Sequence, residues 1–163
     1  MVMTTAACNG GDQPAEPRRV TACDVLTEDD VTAVLGAPVG APDATVDEGA
    51  DALAGRSGCA WATGDDTKAA LVELVRTRDI STSVRRTGFS ARSRFAAVRS
   101  RHPDGVTVHG AGDDAIWVEE VATLHVLADD DYLTFEVAVP DPAAAEETAR
   151  GLAVRAVRRL ARR

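Results

Sequence analysis

Residues 132–160 read YLTFEVAVPDPAAAEETARGLAVRAVRRL, and the apolar period changes halfway along this stretch. Leu133, Phe135, Val137 and Val139 alternate with Tyr132, Thr134 and Glu136, the two-residue repeat of a strand with one face in a core. Past Pro140 the repeat lengthens. Ala145, Ala149, Leu152, Ala153, Ala156, Val157 and Leu160 fall on one stripe of a helix. Asp141 is placed to cap it, and Pro142 takes the first position, where a missing N–H costs nothing. Glu146 and Glu147 lie early and the arginines late, as the helix dipole favours. A strand thus delivers the chain directly into an amphipathic helix.

Working back toward the N-terminus, Val121–Ala128, Ala115–Glu119 and Val106–His109 read as further strands, with Asp129-Asp130-Asp131 at the tip before the last one. Gly88-Phe89-Ser90 opens a helix that runs to about Arg101 and stops at His102-Pro103, since a residue before proline resists helical geometry. Ala91, Phe95 and Val98 mark its apolar side. Earlier still, Gly58–Thr63 and Ala69–Arg76 form a hairpin around Gly64-Asp65-Asp66; the second strand is apolar on both faces and belongs inside a sheet. Thr27 caps a first helix carrying Val31, Val34 and Leu35, closed by Gly36 and Pro38. Residues 37–58 read as loop. The order implies an α+β domain, an antiparallel sheet with packed helices, over residues 21–163. Residues 9–20, rich in Gly, Pro and charge, read as a flexible tether.

Composition narrows the partners. Six aromatic residues among 163 leave a core built mainly of Val, Leu and Ala. The net charge of −8 argues against broad phosphate binding, so no nucleic-acid partner is expected. The basic residues are nevertheless segregated: Arg76 to Arg101 carries eight arginines and one acid, and Ala149 to Arg163 six arginines and none. The arginine face of the middle helix (Arg85, Arg86, Arg92, Arg94, Arg99, Arg101) could dock an anionic partner or lipid headgroups, although arginines on amphipathic helices commonly just solvate the outer face.

Three cysteines remain. Cys23 and Cys59 each sit at the edge of an expected element. A bridge between them would pin the first helix to the sheet and brace the loop between; in the chain-entropy view such a loop is worth about 3.8 kcal/mol. Two separate buried thiols are the alternative. Cys8 stands apart, behind Thr5-Ala6-Ala7, in a segment unable to form a core. Small residues precede the acylated cysteine of bacterial lipoproteins in this way. A free thiol in a tail is the other reading.

From Cys23 onward the chain resembles the DUF3558 family of actinobacterial lipoproteins, a family of unknown function. The resemblance rests on Cys23-Asp24-Val25-Leu26-Thr27-Glu28-Asp29-Asp30-Val31 through Leu35-Gly36, on Cys59-Ala60-Trp61, on Gly110-Ala111-Gly112-Asp113-Asp114-Ala115-Ile116-Trp117, and on the Ala/Leu-rich C-terminal helix. It departs from the family at Thr5, where a leucine is usual. The resemblance implies a paired Cys23 and Cys59, residues 1–8 as the remnant of an export signal with Cys8 as the lipid-attachment site, and a domain held at the outer face of the cytoplasmic membrane. By analogy it suggests a compact α/β sandwich of the Mog1/PsbP type and a non-catalytic binding or accessory role, toward a small hydrophobic ligand or an envelope protein.

Signals for chemistry are sparse. His102, His109 and His125 have no ligand spacing, and the Asp pairs sit in turns where Asp bonds backbone, so no metal and no cofactor is expected. Gly110-Ala111-Gly112 does not open a helix of a βαβ unit, and no nucleophile elbow is present; no enzyme is expected. An accessory hydrolase would need His109 or His125 in a cleft beside an acid. Trp61 and Trp117 read as core anchors, or else as lining of a ligand pocket.

Overall fold

The computed structural model describes residues 19–45 and 53–163. Cys8, the export-signal remnant and nearly all of the tether lie outside the described residues. Seven strands form one antiparallel sheet among them: β1 (Asp43–Thr45), β2 (Arg56–Ala62), β3 (Ala69–Arg76), β4 (Val106–Thr107), β5 (Asp114–Val118), β6 (Thr123–Ala128) and β7 (Asp131–Ala138). Their order across the sheet is β1-β2-β3-β7-β6-β5-β4, so the first hairpin docks against the last strand. At that central seam Val72 faces Phe135 and Leu74 faces Leu133. The buried Arg76 donates from Nε to Asp131 at 3.2 Å where β3 ends and β7 begins.

Among the described residues five helices accompany the sheet: α1 (Ala22–Val25), α2 (Glu28–Leu35), α3 (Thr82–Arg85), α4 (Ala91–Arg101) and α5 (Ala145–Leu160). The α+β class expected from the sequence is what the chain adopts. Thr27 accepts from the Asp30 amide, and the Asp30 carboxylate accepts from the Thr27 amide, a capping box that starts α2. Asp141 accepts from the Ala143 amide, but the first turn after it is a 3-10 turn (Pro142–Ala144) and α5 proper begins at Ala145.

The helices divide between the two faces. α1, α2 and α5 cover one face over the larger core, which contains Val72, Leu74, Phe135, Leu133, Leu124 and Leu152. Gly151 lets α5 approach α2 closely; a Cβ there would stand 3.3 Å from Val34 Cγ1. α4 lies on the opposite face over a smaller cluster, in which Phe95 and Val98 meet Val75, Ile116, Leu127 and Tyr132.

Two local expectations change. Residues 37–58 are not all loop: they contain β1, held by pairing with Gly58–Ala60 of β2, and the start of β2, held by Glu73–Val75 of β3, instead of by any apolar repeat of their own. The strand expected from Val121 starts at Thr123, because Glu119–Val121 forms a 3-10 turn and Ala122 takes a left-handed conformation (φ 47°).

Candidate binding site

The cysteines come first because they fix one edge of the site. Cys23 and Cys59 form a disulfide with Cα atoms 5.1 Å apart, joining α1 to β2. Beside it the Ala22 amide donates to Ser57 Oγ at 2.9 Å. α1, too short to persist alone, is therefore tied to the sheet by one covalent and one polar bond.

On the face carrying α4, coverage is incomplete. α4 sits over the β5–β7 side, and no described helix covers the rest of the face. Ala60, Ala62, Ala69 and Ala138, with Leu71, floor a groove of about 670 Å³ rimmed by Asp43, Asp66, Val121 and Glu136. The groove exists because four floor positions carry only a methyl group; larger side chains there would fill it.

Between groove and helix runs a polar row. Register places Glu73, Thr134 and His125 side by side on β3, β7 and β6. With Arg94, Arg101 and His102 from the α4 side they line a hollow of about 280 Å³, which shares Val121 and Glu136 with the groove. Glu73 is ion-paired to Arg56. His125 Nδ1 lies 2.7 Å from the Tyr132 hydroxyl, the two rings are stacked, and the Arg94 guanidinium sits 5.6 Å from the Tyr132 centroid.

Protonation follows from burial. Burial holds the Tyr132 hydroxyl up at about 12, so it keeps its proton. Burial, reinforced by the positive charges of His102, Arg94 and Arg101, holds His125 down at about 4, so it is neutral at ordinary pH. With Tyr132 donating to Nδ1, the imidazole proton sits on Nε2 as a donor toward the hollow. The buried Thr134 hydroxyl, beside it in register, has no hydrogen-bond partner among the described residues. The hollow thus offers fixed donors at His125 and Thr134, mobile guanidinium donors at Arg94 and Arg101, and carboxylate acceptors at Glu73 and Glu136.

Trp61 and Trp117 are core residues that each also border a hollow, Trp117 one of about 630 Å³ beside Pro140 and Pro142. Both belong to the larger core on the helix-covered face, 2% and 6% exposed. Only at its edge does Trp61 meet the groove, and its indole Nε1 is buried without a partner. His109 is exposed in a turn. His125 does stand in a hollow with Glu73 and Glu136, but its ring bonds Tyr132 and not an acid. Among the described residues no group of three His, Cys, Asp or Glu side chains could hold a metal ion, and no helix is long and apolar enough to cross a membrane.

The signal for this site was the minor face of the strands. Thr123, His125, Thr134, Glu136 and Glu73 each alternate with apolar residues along their own strands, and only the pairing order brings them together. No protein-family model, curated protein or solved structure matches the chain.

Proposed function

We propose that this domain is a non-catalytic binding module, lipid-anchored through Cys8 at the outer face of the cytoplasmic membrane, and that it takes a small amphipathic ligand in the open groove. One observation carries the reading: among the described residues, helices cover only part of the sheet face opposite α5. The uncovered part is smooth, apolar and continuous with a polar hollow. An elongated apolar body would lie along Ala60, Leu71 and Ala138, and its hydrogen-bonding end would reach His125 Nε2 and Thr134 Oγ1. The membrane location and the likeness to a Mog1/PsbP-type sandwich belong to the same reading and rest on the resemblance of the four sequence stretches.

A second reading, an accessory hydrolase, draws on His125 beside Glu73 and Glu136. It is the poorer fit, because a desolvated histidine that accepts from tyrosine has its Nδ1 already engaged.

Native mass spectrometry of the protein from its own host is expected to show a retained small molecule. Ala60→Phe, which fills the groove floor with a good strand former, is expected to abolish it and to weaken anilinonaphthalene sulfonate fluorescence at unchanged fold. A ligand retained equally by Ala60→Phe would refute the groove. The intact mass tests the anchor separately: diacylated Cys8 at the mature terminus supports it, and an unprocessed Met1 excludes it.

A further inference from the structure

A second feature of the surface has nothing to do with the groove. α5 returns antiparallel to β7, so its last turns lie at the end of the sheet where β7 begins and β3 ends. There Arg155, Arg158, Arg159, Arg162 and Arg163 ring a hollow of about 420 Å³ with Asp30 on its wall. Arg159 donates to Asp30 at 2.6 Å, Arg155 stands 3.5 Å from the same carboxylate, and Arg163 stands 3.8 Å from Asp24. Arg158 and Arg162 are exposed and reach no carboxylate among the described residues. Two aspartates against five arginines leave this hollow net positive on a chain whose overall charge is −8.

Its position matters as much as its sign. Arg163 also donates to the Asp24 backbone carbonyl at 3.1 Å, so the end of α5 lies against α1, three residues past Arg19, where the chain passes from the tether into the fold. The described chain therefore enters the fold beside the arginine end of α5.

We propose that the arginine end of α5 docks on an anionic phospholipid bilayer and orients the domain there. The choice of a bilayer rests on the proposed anchoring; the attraction itself does not. The physical case is charge polarity. An anionic leaflet repels the acidic surface and attracts basic patches, and the patch beside the point where the chain enters the fold is the one placed to face the membrane. Arg158 and Arg162, long and without partners, gain most from lipid phosphates, while Arg155 and Arg159 are held by Asp30. Docked this way, the sheet face bearing the groove stands edge-on to the membrane, open to both lipid and solvent.

The test uses the full chain without acylation and sedimentation with vesicles. Binding is expected to phosphatidylglycerol-containing vesicles, to fade with added salt, and to be absent on pure phosphatidylcholine. Each arginine near such a surface contributes roughly fivefold. Arg158→Ala/Arg162→Ala should therefore bind at least about tenfold more weakly. Arg158→Lys/Arg162→Lys should bind as the parent does, since a diffuse surface reads charge and not fork geometry. Arg85→Ala/Arg86→Ala, an equal loss of charge on α3 at the opposite side of the sheet, should change binding less. Four results would overturn the proposal: no binding to anionic vesicles, equal binding to neutral ones, equal loss in the α3 pair, or loss in the lysine pair. Stronger retention on duplex DNA than on vesicles would also overturn it. Acylation of Cys8 is read independently, so failure of the patch and failure of the anchor are told apart.

Discussion

The Tyr132 hydroxyl and His125 Nδ1 are hydrogen-bonded across 2.7 Å, between neighbouring strands of the β6–β7 hairpin and beneath the guanidinium of Arg94. This pair fixes the chemical face of the hollow. It also makes the domain's stability depend on pH in a defined window. His125 is held down at about 4 against an ordinary value near 6.5, so the unfolded chain binds the proton more readily. Its contribution is fully present above about pH 6.5 and is lost as pH falls through about 4. Urea midpoints across that range are expected to fall for the parent and to flatten for His125→Gln. Carbon-13 or nitrogen-15 shifts of the imidazole should report the Nε2–H tautomer above pH 6.5; the other tautomer would overturn the donor assignment at Tyr132.

Removing the Cys23–Cys59 bond should cost stability and do so locally. Cys23→Ser/Cys59→Ser is expected to lose about 3–4 kcal/mol in denaturant unfolding, the chain-entropy value for a loop of this length. Hydrogen exchange should accelerate first in α1, whose remaining tie to the sheet is the Ala22 amide on Ser57. A loss under about 1 kcal/mol would mean that the larger core holds α1 without the bridge.

The turn that leads into β5 offers a paired test. Gly110 and Gly112 both have positive φ, 81° and 137°, but their surroundings differ. A Cβ at Gly110 meets nothing within 4 Å, whereas one at Gly112 falls 2.7 Å from the Leu127 carbonyl oxygen and 2.8 Å from Val126 Cγ1. Gly110→Ala should cost about 1 kcal/mol, the penalty for a left-handed residue. Gly112→Ala adds a backbone collision and should cost about 3 kcal/mol or more. Equal melting temperatures for the two variants would contradict the close packing of this turn on β6.

Much of the fold can be read in the chain because its periods are clean. β7 alternates, α5 carries a full apolar stripe, and Thr27, Ser90 and Asp141 stand at helix starts where their side chains accept backbone protons. What escapes is set by distant pairing. Asp43-Ala44-Thr45 has no periodic signal and is a strand only because Gly58-Cys59-Ala60 lies alongside. Nothing local says that Val72 will face Phe135, or that α4 and α5 will take opposite faces. The site was hidden for the same reason. His125 reads as an ordinary sheet-face histidine until Tyr132 and Thr134 are seen beside it, and four scattered alanines mean little until the register makes them one floor.

The central seam between β3 and β7 also sets the order in which the molecule can be made. A chain emerging from its N-terminus can close the β2–β3 hairpin and join Cys23 to Cys59 early, since both partners are already present. The outer edge of β3, apolar on both sides, must then wait without a neighbour until Asp131–Ala138 arrives. During that interval it is an open template for another chain. The slow, concentration-sensitive step of assembly is therefore the arrival of β7, and crowding of nascent or refolding chains should divert material at that point before any other.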